Sequence, residues 1–214
     1  MDIYWHGQAM FKIKGKNATV ITDPFVPDFV GLKLPKDLDA DIVTVSHDHD
    51  DHNNAKAVTG DPILFEGPGE YERKAVAVIG VASFHDGQKG AERGKNTIYN
   101  IMIDGLNIVH LGDLGQESLS QEQISEIGGC DILMIPVGGV YTIDGKAAAE
   151  IVAQLEPRII IPMHYKTEGL KFELEPVDNF LKAFGVESPD PIMKFSITRD
   201  KLSEEAKVVV MLKS

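Results

Sequence analysis

The sequence predicts an α/β fold in which mixed β-sheets are flanked by outer helices, and three observations carry that prediction. Short β-branched runs recur along the chain, each closed by a polar or Gly/Pro-rich turn. Asn17 within Gly15-Lys16-Asn17 and the pair Asp104-Gly105 are hairpin signals, so antiparallel pairs are expected. Strands dominate the first part of the chain, and strands alternate with helical segments in the remainder. Pattern alone does not choose the topology.

In chain order the strand-like runs are Phe11–Lys14, Ala18–Thr22, Ile42–Val45, Ile63–Phe65, Ala75–Phe84, Thr97–Ile103, Leu106–Leu111, Ile132–Val137 and Arg158–Pro162. Phe195–Thr198 and Lys207–Leu212 follow near the end. Helical periodicity is clearest over Asp144–Leu155. There Asp144 can cap the first turn, Ala148, Ile151, Val152 and Leu155 share one face, and Pro157 stops the run. Ser120–Ile127 opens with Ser120 and has Gln123 three residues on, a capping-box pattern; Val177–Phe184 is the third helical segment. No linker, repeat or low-complexity stretch divides the 214 residues, so one domain over 1–214 is expected. A chain of this length buries roughly 70% of its unfolded surface and folds without a disulfide.

Lys and Arg number 21 against 33 Asp and Glu, a net charge of −12. That balance argues against nucleic acid and anionic membranes as partners, since both recruit basic patches. A small anionic substrate held at a local cationic centre, such as a bound metal, remains compatible with it. The single cysteine, Cys130, is read as a packing residue. No signal peptide is visible, and no apolar run nears the roughly 20 residues of a spanning helix. A soluble, cytoplasmic protein with no membrane partner is expected, with a homo-oligomer left open.

Chemistry concentrates in the histidines. Three of the seven fall within six residues, in Ser46-His47-Asp48-His49-Asp50-Asp51-His52, directly after the run Ile42–Val45. An acidic solvated turn accounts for the aspartates but not for the imidazoles, which packing does not need at that density. Metal coordination accounts for both, because imidazole and carboxylate are ligands of Zn, Mn and Fe. The other candidates also follow strand-like runs: His85, Asp113 and His164. Strand ends in layered α/β folds converge on one crevice, so these positions point at one pocket. His110 lies inside an apolar run and is read as a hydrogen-bonded core histidine. His6 is read as a turn residue.

His47-x-His49-x-Asp51-His52, followed by His85, Asp113 and His164 and preceded by Thr22-Asp23-Pro24, resembles the motif series of the metallo-β-lactamase superfamily. The likeness runs from Tyr4 to about Tyr165. Pro136-Val137-Gly138-Gly139, Tyr141-Thr142-Ile143-Asp144 and Ile161-Pro162-Met163-His164-Tyr165 are similar to its small single-domain branch, which includes the ascorbate-6-phosphate lactonase. The resemblance implies a four-layer αββα sandwich and two divalent ions, zinc first and manganese second. It implies that His47, His49 and His85 hold one ion, that Asp51, His52 and His164 hold the other, and that Asp113 bridges them. Asp23 would orient ligands without touching metal. Histidine at position 49, where a di-iron redox relative would carry glutamate, favours a hydrolase. The branch often has a histidine in its N-terminal hairpin where this chain has Gln8, an amide that does not titrate near neutral pH.

The implied chemistry is attack by a metal-bridging hydroxide, with Asp51 and Asp113 as the catalytic carboxylates of the centre. The expected substrate is a small lactone or ester, with an anionic one compatible with the site. A phosphodiesterase or nuclease of the same fold is the runner-up, and a non-catalytic metal-binding module is third. Tyr141, Thr142, Tyr165 and Lys166 flank the expected site loops.

Overall fold

A computed structural model describes residues 1–214. The strands are β1 (Asp2–Gly7), β2 (Met10–Lys14), β3 (Thr19–Thr22), β4 (Ile42–Val45), β5 (Ile63–Glu66), β6 (Gly69–Arg73) and β7 (Val76–Phe84). They continue as β8 (Lys95–Ile103), β9 (Leu106–His110), β10 (Ile132–Pro136), β11 (Ile159–Met163), β12 (Phe195–Ser196) and β13 (Lys207–Val208). The helices are α1 (Pro27–Val30), α2 (Gln121–Ile127), α3 (Gly145–Leu155) and α4 (Val177–Phe184).

Two mixed sheets result, ordered β12-β1-β2-β3-β4-β5 and β13-β11-β10-β9-β8-β7-β6. Each joins an antiparallel part to a parallel part. In the first sheet β1, β2 and β3 are antiparallel, while β3, β4 and β5 run parallel. In the second, β6 to β9 are antiparallel and β9, β10 and β11 parallel. Both expected hairpins form: Gly15 N–H donates to Ala18 O below β2–β3, and Asp104 and Gly105 take positive φ between β8 and β9.

Period-two alternation explains the layering. Val20 and Ile42 face the core shared with the second sheet, whereas Ile21, Val43 and Val45 face the opposite way. That outer face is covered by Phe25, Val30, Leu32 and Leu38 from the chain around α1, so the outer layer here is largely irregular. Over the second sheet, α3 buries Ala148, Ile151, Val152 and Leu155. Its larger aliphatic side chains contribute roughly 1.5–3 kcal/mol each. The Asp144 carboxylate accepts from Lys146 N–H and Ala147 N–H, and the helix ends at Glu156 before Pro157. The Ser120–Gln123 capping box on α2 is complete in both directions. No helix is long and apolar enough to cross a membrane.

Two strands are absent from the pattern reading. In β1, Ile3 and Trp5 are fully buried, but its pairing depends on β2 and on the remote β12. The strand β6, Gly-Glu-Tyr-Glu-Arg, offers only Tyr71 to the core, where it stacks on Phe65, and otherwise pairs along the edge of β7. The last two strands shorten to two residues each. Cys130 packs partly buried against the main core, and burial raises its thiol pKa.

Candidate metal centre

The parallel strands and β7 finish at one edge of the sandwich. Asp23 follows β3, Ser46 and His47 follow β4, His85 follows β7, Asp113 lies three residues past β9, and His164 follows β11. Close backbone approach is part of this convergence. Gly112, at φ +56, leaves no room for a Cβ against Asn96 and Ser46, and a Cβ on Gly138 would strike the carbonyl of His164. Asp113 is held by its own N–H, which donates to Asn96 Oδ1 at 3.0 Å. Gln8, Asp23 and His164 all take left-handed backbone conformations (φ 50°, 41° and 51°). Such strain in non-glycine residues persists only where surrounding structure over-determines it.

The seven expected ligand residues fall into two groups: His47, His49 and His85, and Asp51, His52, Asp113 and His164. In each, the candidate ligand atoms lie within 4.8 Å of one another. Asp113 Oδ2 stands between the groups, 3.3 Å from His85 Nε2 on one side and 3.1 and 3.3 Å from His52 and His164 Nε2 on the other. His47 Nε2 and His49 Nδ1 are 3.0 Å apart. Ligand atoms around a tetrahedral ion at about 2.1 Å stand about 3.4 Å from each other, so these spacings suit metal binding.

Hydrogen bonding sets the tautomers. Buried Asp23 accepts from Ser46 N–H at 2.8 Å and from Ser46 Oγ–H at 2.6 Å. Its Oδ2 also accepts from His52 Nδ1–H at 2.8 Å. With its hydroxyl proton committed to Asp23, Ser46 Oγ accepts from His47 Nδ1–H at 2.9 Å. One carboxylate therefore anchors both imidazoles through Nδ1 and turns their Nε2 atoms toward the ligand groups. His52 Nε2 and His164 Nε2 are buried near Asp113 without hydrogen-bond alignment, and Asp113 Oδ1 has no partner. Buried polar atoms converging in this way fit a cation.

Electrostatics agree. Burial lowers the pKa of His47 to about 3, assisted by His52, so it is neutral at pH 7. Burial opposes ionisation of Asp51 and Asp113, but the surrounding histidines outweigh it and hold both carboxyls well below the usual range. For His52, burial is overcome by Asp113 and Asp51, which raise its pKa well above the ordinary 6.5. Three carboxylates (Asp23, Asp51 and Asp113) thus demand positive charge at one place.

A cavity of about 570 Å³ opens on both groups through His49, Asp51, His85 and Asp113. A larger surface hollow of about 900 Å³ near α2 contains none of the seven residues. Tyr141 lines the smaller cavity, but Tyr165 packs at a tilt against Trp5, 4.9 Å between ring centroids, and Lys166 pairs with Glu173 on the surface. His110 is the expected core histidine: its Nε2 donates to Ala9 O and its Nδ1 accepts from Gly112 N–H. His6 packs against Ser214. Gln8, almost fully buried, places Nε2 3.4 Å from Asp51 Oδ2, and its carbonyl accepts from Trp5 Nε1–H and His164 N–H. Arg93, Phe29 and Phe172 also line the cavity, and nothing in their local sequence marks them.

Comparison with known proteins agrees with this arrangement. The family profile described as "Beta-lactamase superfamily domain" matches residues 2–164. A UPF0173 metal-dependent hydrolase of Thermoplasma acidophilum is 31% identical over 193 residues, covering 79% of this chain and 85% of the relative. Its counterpart from Thermoplasma volcanium is 33% identical over 191 residues, covering 78% and 84%. A Thermotoga maritima crystal structure of the metallo-beta-lactamase superfamily is 40% identical with a TM-score of 0.81, covering 98% of this chain and 97% of the other. With two mixed sheets, ligand-type residues at the expected strand ends and a match over most of its length, the chain belongs to the beta-lactamase superfamily, among the UPF0173 metal-dependent hydrolases.

Proposed function

We propose that the protein is a hydrolase that works with two divalent ions, zinc as first choice and manganese as second, on a small ester or lactone. The observation that carries this reading is the shared oxygen, Asp113 Oδ2, within 3.3 Å of histidine nitrogens from both ligand groups. His47, His49 and His85 would hold one ion and Asp51, His52 and His164 the other, with Asp113 common to both. Ions bound there supply a water acidified enough to act as nucleophile near neutral pH, and positive charge opposite a developing oxyanion.

The chain's own residues prepare that chemistry. Asp23 orients His52 directly and His47 through Ser46, so both present Nε2 to an ion. The depressed pKa values of Asp51 and Asp113 keep both ionised, as ligands rather than proton donors. The cavity's size falls within the roughly 300–1,000 Å³ range of small-molecule sites. The net charge of −12 supports a small substrate over nucleic acid.

The test combines metal analysis with a substrate screen of lactones, esters and phosphodiesters under Zn and under Mn. Two ions per chain and turnover of a lactone or ester are expected. At most one ion, with none that can be added, removes the dinuclear half of the reading; turnover of phosphodiesters alone removes the ester half.

A further inference from the structure

Among the eleven residues lining the cavity over the ligand groups, Arg93 is the only cationic side chain. The loop that carries it is tied down by one residue. Asp86 Oδ1 accepts from Gln88 N–H and Gly90 N–H, both at 2.8 Å, and Oδ2 accepts from Glu92 N–H at 3.0 Å and Arg93 N–H at 2.7 Å. The loop then closes on the metal centre, since His85 N–H donates to Gly94 O at 3.1 Å. Arg93 is therefore fixed relative to a candidate ligand.

Its guanidinium is positioned but not consumed. The carbon lies 5.7 Å from the centroid of the Tyr141 ring, and Nη2 donates to Val140 O at 3.4 Å. Each ion pair made by a lysine or arginine side chain in the protein uses lysine (Lys12, Lys74, Lys166 and Lys194); Arg93 makes none, although Glu92 is its neighbour. A guanidinium with free donors presents a planar fork that matches a carboxylate or phosphate.

The wall that begins at Tyr141 has different chemistry. Tyr141 meets Phe172 edge-on at 6.0 Å, and Phe172 lies 6.2 Å from Phe29. These rings come from three separate segments, and Phe29 and Tyr141 remain 48% and 39% exposed. An exposed aromatic wall beside a lone cation fits an amphiphilic ligand. The cavity also carries five carboxylates (Asp48, Asp50, Asp51, Glu92 and Asp113), whose repulsion two divalent ions would offset.

We propose that Arg93 anchors the anionic group of the substrate while Tyr141, Phe172 and Phe29 hold its apolar body. The substrate is then a small ester or lactone with one carboxylate or phosphate on an apolar frame, a refinement that rests on the hydrolase reading above. Titration calorimetry of the Zn-loaded protein with 3-phenylpropionate, benzylphosphonate and neutral 3-phenylpropionamide tests it. At least one anion should bind about tenfold or more tighter than the amide, and the tighter of the two names the group recognised. Arg93→Gln should erase that preference and Arg93→Lys should keep part of it. Arg93→Lys, which preserves the cation beside Tyr141, carries the comparison if Arg93→Gln fails to fold. A preference that survives Arg93→Gln overturns the anchor, because the anion would then sit on the ions alone. Phe172→Ala should weaken all three ligands alike, and unchanged binding would overturn the apolar half. Hydrolysis is scored separately. An anion preference without turnover of any ester removes the hydrolase reading and leaves Arg93 as anchor; turnover without the preference does the reverse.

Discussion

The two ligand groups differ in how much of the protein stands behind them. His52, Asp113 and His164 are buried, and Asp51 keeps only 13% of its side chain exposed. His52 is also fastened to Asp23, a carboxylate with no exposure at all. In the other group His49 is exposed, and its ring packs only against His47 and His85 of the same group. One group therefore lies within the folded core, whereas the other is buried at His47 and His85 and reaches the cavity wall through His49. The difference separates residues whose loss damages the fold from residues whose loss damages only the site.

The largest expected effect is at His52. His52→Ala would leave Asp23, Asp51 and Asp113 facing one another without the imidazole between them, so loss of both metal binding and stability is expected. Breaking a buried pair of this kind costs roughly 3–5 kcal/mol, which a denaturant titration would read. A stable, fully loaded variant would erase the contrast between the groups. His49→Ala should cut turnover by about a thousandfold or more while its denaturation midpoint stays close to wild type. A collapse in its stability would show that His49 also belongs to the core.

Asp23→Asn sharpens the comparison, because it touches no candidate ligand site yet supports histidines from both groups. Metal affinity should fall by about 10–100-fold, measured by competition with a chelator. The loss should be greater for the ion at His52, which Asp23 bonds directly, than for the one at His47.

A smaller effect is expected in the pH dependence of the chelated protein, where the groups should show opposite slopes. His47 has a folded pKa near 3, below its ordinary 6.5, so the unfolded chain takes up the proton first as pH falls. Its stabilising contribution is present above pH 6.5 and is lost between 6.5 and about 3. His52 has a raised folded pKa, so its contribution is full below 6.5 and is lost as pH rises through the raised value. Melting temperatures of His47→Ala and His52→Ala relative to wild type should accordingly diverge in opposite directions with pH. Parallel curves would sink this assignment.

Much of the centre is legible in the chain because its ligands are local or directly follow a recognisable strand. His47, His49, Asp51 and His52 sit within one turn after β4, and His85, Asp113 and His164 each follow an apolar run. The alternation in β3 and β4 and the face of α3 are legible for the same reason, since each depends on neighbours two to four residues away. By contrast, β6 has a single core-packed side chain, Tyr71, and no alternating apolar run, and it pairs along β7.

By itself, then, the sequence determined the strand-and-helix grammar, the acidic surface balance and the identities of the metal-ligand candidates. Tertiary structure decided which side chains share the cavity. Gln8 reaches Asp51 across 43 positions, and Arg93 meets Tyr141 across a comparable span. Phe29 reaches Phe172 from a different segment again. The same folding removes Tyr165 and Lys166 from the site although they directly follow His164. The physical reason is range: periodicity and capping act within a few residues, whereas a cavity is the meeting of loops from distant strands, set by how two sheets pack.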